Sequence, residues 1–274
     1  MGKYVSKKQL ENIFQLTTER EFKILELLNI SKFMTTEQLR RQFFTALKTE
    51  LSAKRATNRL LRKLENEQLI AKLPRRIGGF YQETHGGSSI SIWRLTDAGY
   101  KILRMKKPTL PPVRKRPPAP NLFFLEHGLM ISEAATCLRE LEIFRKIEGL
   151  KIEFEPNCWR GFLNAGESVS LKPDLYARFV TGGYEEGYFI EVDRATESVQ
   201  KVLAKCQTYV SYFNTGIEEK TTGLTPYIVW LVPDDKREEQ LSKMLRDKLP
   251  EASILFQVIV AGELNQLIVG EEEK

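Results

Sequence analysis

The chain has 274 residues, 42% apolar and 28% charged, and no apolar run near the roughly 18 residues that cross a bilayer, which excludes disordered, fibrous and helical membrane-spanning classes. Its length suits two ordinary domains. The net charge of +6 conceals an asymmetry, because residues 1–120 carry 25 Lys/Arg against 10 Asp/Glu, or +15, and the remainder 17 against 26, or −9. A positive excess confined to one half is the footprint of a polyanionic partner, nucleic acid ahead of a membrane surface. The opening MGKYVSKKQLENIF has no apolar core of a signal peptide, and Cys137, Cys158 and Cys206 follow no CxxC spacing, so free thiols in a cytoplasmic protein are expected.

In chain order, Thr17 or Thr18 caps a helix through Asn29 with Phe22, Leu25 and Leu28 at core spacing. Thr35 and Thr36 precede a short helix, EQLRRQFF, and a third helix runs over residues 52–68. Leu69 to Phe80, the Gly-rich tip ETHGGSS and the strand-like ISIWRL make a β-hairpin, and Thr96 and Asp97 open a closing helix. Three helices, a hairpin and a last helix predict a winged helix-turn-helix over residues 1–105.

At 100° per residue, Arg55, Asn58, Arg59 and Arg62 of the third helix share one arc, with Ala53, Ala56, Leu60 and Leu64 opposite. Arginine can fork to guanine and asparagine to adenine in a major groove, while the flanking Lys54 and Lys63 suit phosphates. Arg75, Arg76 and Arg94 belong to the wing, whose glycines Gly78, Gly79, Gly86 and Gly87 surround a loop residue, His85. The competing reading is a merely solvated basic face.

Residues 106–120, KKPTLPPVRKRPPAP, hold six of the twelve prolines and read as an extended basic linker. Beyond it, residues 121–274 give an amphipathic helix (121–144), strands near 150–155, 172–180 and 187–193, a helix from 198 to 213, the strand PYIVWLVP, the helix DDKREEQLSKMLRDKL and the strand SILFQVIVA. The order αβββαβαβ predicts an α/β domain with a mixed sheet.

Asp174 starts one strand, and Glu191 and Asp193 are i and i+2 on the next and share a face opposite Tyr188, Ile190 and Val192. Converging carboxylates are what Mg²⁺, or Mn²⁺ in its place, requires, and such an ion activates water at a phosphodiester. On the next helix Lys201, Lys205 and Tyr209 form one stripe, and a lysine there can neutralise developing phosphate charge. Glu126 is a further candidate carboxylate. The competing reading is an acidic turn in which Asp193 pairs with Arg194, Lys172 or Lys205. GFLNAGES has Glu167 where a phosphate loop needs lysine, so an ATPase is not expected. His85 and His127 do not make a two-histidine metal site, Cys158 and Trp159 read as core or loop packing, and Trp230 reads as core.

The segments KPDLYARF, YFIEVDRATES, Lys205 with Tyr209, and FLEHGLMISEAATCLREL resemble the replication-relaxation family of bacterial plasmids, phages and integrative elements, over about residues 16–262. The resemblance implies a PD-(D/E)xK, restriction-endonuclease-like domain after the winged helix, an α+β to α/β architecture with a mixed central sheet. It implies Asp174 as the PD aspartate and Glu191 as the second metal carboxylate, with Lys205 as a migrated lysine, since Asp193 stands where Glu-x-Lys requires lysine. The expectation is therefore a duplex-DNA-binding protein acting in plasmid replication or relaxation, with Mg²⁺-dependent nicking or cleavage by Asp174, Glu191, Asp193 and Lys205. Its partners would be an origin-like site, a second copy of the chain and a replication or mobilisation protein. The alternative is a non-catalytic regulator whose C-terminal domain dimerises or recruits a partner.

Overall fold

A computed structural model describes residues 5–73, 90–112 and 120–270. The chain divides into two compact units, Met1–Thr136 and Cys137–Lys274.

The first unit opens with a helix that sequence reading did not anticipate, α1 (Lys7–Leu16), begun by a capping box between Ser6 and Gln9. Thr18 caps α2 (Glu19–Ser31), and the Glu21 carboxylate returns to accept from Thr18 N at 2.8 Å. After β1 (Met34–Thr35), Thr35 and Gln38 form a third capping box at α3 (Thr36–Phe43), and Thr49 caps α4 (Glu50–Asn66). The strands β2 (Ile70–Lys72) and β3 (Ile92–Leu95) pair antiparallel, β1 adds to the far side of β3, and α5 (Asp97–Lys106) follows. Leu25, Leu28, Leu39, Leu61, Leu64, Leu69 and Ile102 share one core. Gly99 is required at its position, because a Cβ there would lie 2.1 Å from Leu69 O, the oxygen that also accepts from Thr96 N and Oγ1.

Helix α6 (Leu122–Ile143) crosses the division between the units. Its first part is bound to the first unit: Gln38 Nε2 donates to Leu129 O at 3.1 Å, Ser132 Oγ to Phe33 O at 2.8 Å, and Gln42 Nε2 to Thr136 Oγ1 at 2.8 Å. Composition draws a boundary at 106–120, whereas packing draws it inside α6. Before the prolines, Tyr100 Oη and Arg104 Nε fold the chain back on α5 by donating to Pro111 O and Leu110 O.

The second unit is mixed α/β. Its strands β4 (Glu148–Phe154), β7 (Leu175–Thr181), β8 (Tyr184–Val192), β9 (Tyr227–Val232) and β10 (Phe256–Val260) form a mixed sheet ordered β10-β9-β8-β7-β4. β7 runs antiparallel to both neighbours, and β8, β9 and β10 are mutually parallel. The parallel steps need crossovers, supplied by α7 (Val199–Asn214) with α8 (Ile217–Thr222), and by α9 (Asp235–Lys248). A last helix, α10 (Leu264–Val269), ends the described chain. Between the strands expected near 150–155 and 172–180, β5 (Arg160–Asn164) and β6 (Glu167–Leu171) make a separate, unanticipated hairpin, turned by Ala165 and Gly166 at φ 49° and 87°. Phe189, Ile228, Trp230, Val232, Phe256 and Val258 of the sheet bury against Val202, Cys206 and Tyr209 of α7 and Leu241 and Leu245 of α9. Among the described residues no helix is long and apolar enough to cross a membrane.

Candidate active site

The site is built by a hairpin register. Gly182 and Gly183, both at positive φ (56° and 84°), form a two-residue turn that pairs Thr181 with Tyr184 and, six steps on, Leu175 with Ile190. Asp174 lies in the bend just before β7 rather than on the strand itself. The Asp174 Oδ2 accepts from Val192 N at 2.8 Å, anchoring the carboxylate to the neighbouring strand.

Glu191 lies on the sheet face that carries Phe189 and Trp230, so its carboxylate points into an apolar layer and is 1% exposed. Two groups of α7 reach it: Lys205 Nζ donates to Oε2 at 2.5 Å and Tyr209 Oη to Oε1 at 2.6 Å. The i, i+4 spacing explains the division of labour, because the stripe runs from exposed Lys201 through half-buried Lys205 to fully buried Tyr209. Burial pushes the Glu191 carboxyl up to about 7, against the opposing pull of the Lys205 ammonium and with a further push from Asp174. For Lys205, burial works downward, but Glu191 and Asp174 outweigh it and the ammonium is held above its ordinary range. The Tyr209 phenol, fully buried, is raised well above its usual value by burial and by Glu191. The three cysteines are free thiols, and burial raises Cys158 and Cys206 to about 12, so neither is a ready thiolate.

Asp193 does not join this group. Arg237 Nε donates to its Oδ2 at 2.6 Å, and Ala195 N, in a left-handed residue with φ 54°, donates to its Oδ1 at 2.9 Å. The i, i+2 carboxylates do share the helix-covered face, but they divide between helices: Glu191 belongs to α7 and Asp193 to the start of α9. Asp193 is 3% exposed and Arg237 7%, a buried pair extended by Arg237 donating to Glu197 O and Gln240 Oε1. The partner is none of the three cations weighed from sequence. Arg237, 44 positions away, carried no sequence signal beyond the helix cap that Asp234 gives it.

Among the described residues no group of three or more His, Cys, Asp and Glu side chains is gathered to hold a metal ion. The donor chemistry of Asp174 and Glu191 fits an ion such as Mg²⁺, which takes one or two carboxylates and completes its shell with water and substrate phosphate. Glu126 lies on the part of α6 that belongs to the first unit.

On the first unit, Arg55, Asn58, Arg59 and Arg62 are all exposed along α4, and Ala53, Thr57, Leu61 and Leu64 are buried beneath them. The buried line is thus rotated from the expected one, with Ala56 and Leu60 at its border. Lys54 is exposed and pairs with Glu50 at 2.6 Å. Lys63 is half-exposed, and its Nζ donates at 2.7 Å to Glu21, the buried capping carboxylate of α2, so it ties two helices together. Arg94 is half-buried on β3 opposite Ala71. Arg75, Arg76, Gly78, Gly79, His85, Gly86 and Gly87 lie outside the described residues.

A model of the replication-relaxation family matches residues 25–228, which span both units and every carboxylate of the site. The chain belongs to the replication-relaxation family. No curated protein and no solved structure matches it. Within this family member the matched stretch includes α4, the Asp174–Glu191 pair, Lys205 and Tyr209, and ends in β9 before Arg237.

Proposed function

We propose that the protein binds duplex DNA through its first unit, a winged helix-turn-helix, and nicks or cuts DNA with its second, a PD-(D/E)xK-like domain, in plasmid replication or relaxation. The observation that carries this reading is the meeting of Asp174, Glu191 and Lys205, a lysine supplied from α7 where Asp193 has replaced the usual one. A mixed sheet with crossover helices, and a wing-like strand pair after an exposed basic helix, support it. When bound, a divalent ion at Asp174 and Glu191 would supply Lewis acidity and a more acidic water. The chain's own contributions are separable. Tyr209 fixes the rotamer of Glu191, the Val192 amide fixes Asp174, and the Lys205 ammonium, bound to Glu191, would neutralise charge developing on a phosphoryl oxygen. Supercoiled plasmid incubated with Mg²⁺, Mn²⁺ or EDTA tests the reading: metal-dependent nicking is expected from the wild type and none from Asp174→Ala, with duplex binding unchanged.

One observation favours a second reading. Both oxygens of Glu191 are already engaged and Asp193 is clamped by Arg237, a closed network that would also suit a non-catalytic scaffold recruiting a partner. Duplex binding without nicking in any metal would select it.

A further inference from the structure

The chain's three tryptophans have unlike settings: Trp93 is 5% exposed and Trp230 2%, but Trp159 is 37% exposed. An indole offers a large area for burial, and this one stays open on a turn that is itself fixed. Asn157 N and Cys158 N donate to Phe154 O at 2.8 and 3.2 Å, and Trp159 N donates to Pro156 O at 3.1 Å. Cys158, fully buried, donates through Sγ to Pro173 O at 3.1 Å and so ties the turn to the residue before Asp174. The exposed Lys172 sets its Nζ 4.7 Å from the Trp159 ring centroid. Lys172 and Asp174 are two residues apart, within about 7 Å along the backbone. The Cys158 thiol also feels the charges of both Asp174 and Glu191.

An exposed ring with a cation over one face, on the rim of a carboxylate pair, suits a single strand: a base stacks on the other face of the ring and phosphate meets the cation. Within an intact duplex each base is already stacked on both faces, so the ring can be used only where a base is unpaired or turned out. We propose that Trp159 and Lys172 form a stacking platform for an unpaired base beside Asp174 and Glu191, so that the second unit takes single-stranded or locally opened DNA. This deepens the nuclease reading and rests on it for the role of the neighbouring carboxylates. It names a substrate form distinct from the duplex assigned to the first unit.

Binding of the full chain in EDTA separates the two. Oligo(dT) about ten nucleotides long and a blunt duplex of the same length are titrated by anisotropy and by intrinsic tryptophan fluorescence. Oligo(dT) is expected to quench the exposed indole. Trp159→Ala should weaken oligo(dT) about tenfold and leave duplex affinity within about twofold, while Trp159→Phe keeps most of the single-strand affinity. Lys172→Gln, at a surface position that does not threaten the fold, should lower the log–log salt slope for oligo(dT) by about 0.7. Unchanged oligo(dT) affinity in both Trp159→Ala and Lys172→Gln, or equal loss on both substrates in Trp159→Ala with Lys172→Gln unaffected, overturns the platform. Absence of plasmid nicking in every metal would instead remove the nuclease reading and leave the titration to decide the stacking.

Discussion

Glu191 is a carboxylate placed in an apolar layer and kept there by two α7 partners. Its raised pKa sets two opposite pH dependences. The folded chain holds the proton more tightly than the unfolded one, so Glu191's contribution to stability is fully present below about pH 4.5 and is lost as pH rises through about 7. Thermal melts should show the Glu191→Gln variant gaining on the wild type across that window. Activity runs the other way, because the ionised carboxylate is the form that binds a cation: nicking should fall on acidification, and Glu191→Gln should be inactive throughout. Asp193 makes a different prediction. Removing it strands the buried Arg237 guanidinium, and leaving one partner of a buried pair costs about 3–5 kcal/mol. Asp193→Ala should therefore unfold at distinctly lower denaturant, whereas a metal-ligand role alone would spare stability and abolish nicking.

At the scale of elements, one turn decides whether the site exists. The Gly182–Gly183 turn fixes the β7–β8 register, and a slip of one residue would send Glu191 to the opposite face from Tyr209 and Lys205. Both glycines are at positive φ, where a side chain costs roughly 1–2 kcal/mol per residue. Replacing both by valine should lower stability by about 2–4 kcal/mol in urea titration and reduce nicking beyond what lost folding explains; unchanged stability would refute the turn's role. The same logic was legible beforehand in part: TGGYEEG announces a tight turn between two strand-like runs, and counting back from it pairs Leu175 with Ile190, the chain neighbours of Asp174 and Glu191. The β5–β6 hairpin was hidden by GFLNAGES, whose exposed, alternating residues offer little apolar pattern. Helix α1 was overlooked although Ser6 and Gln9 carry a capping box and Leu10, Ile13 and Phe14 a helical spacing.

Across the whole molecule, charge is divided unequally between the two halves of the chain. The +15 of residues 1–120 includes the exposed Arg55, Arg59 and Arg62 of α4, while the −9 remainder holds the carboxylate pair in a unit of its own. Replacing those three arginines together by alanine should abolish duplex affinity and flatten its salt dependence, since each phosphate contact adds roughly 0.9 to the log–log slope. An unchanged slope would move the DNA surface elsewhere. Lys63 serves as the internal control: Lys63→Ala should lower stability through the buried Glu21 and leave the salt slope nearly intact.

Sequence alone determined what local rules govern. The caps at Thr18, Thr35 and Thr96, the exposed arc of Arg55, Asn58, Arg59 and Arg62, the order of the five sheet strands with α6, α7 and α9, and the candidacy of Asp174, Glu191 and Lys205 all follow from hydrogen-bond chemistry and periodicity over a few residues. Tertiary structure decided which charges meet. Arg237 reaches Asp193 across 44 positions, Lys63 reaches Glu21 across 42, and Gln38 holds α6 across 91, so that a candidate ligand and a candidate phosphate contact each have a partner inside the fold. The physical reason is that a buried charge must find a partner wherever packing brings one, and packing joins segments whose separation along the chain leaves no pattern to read.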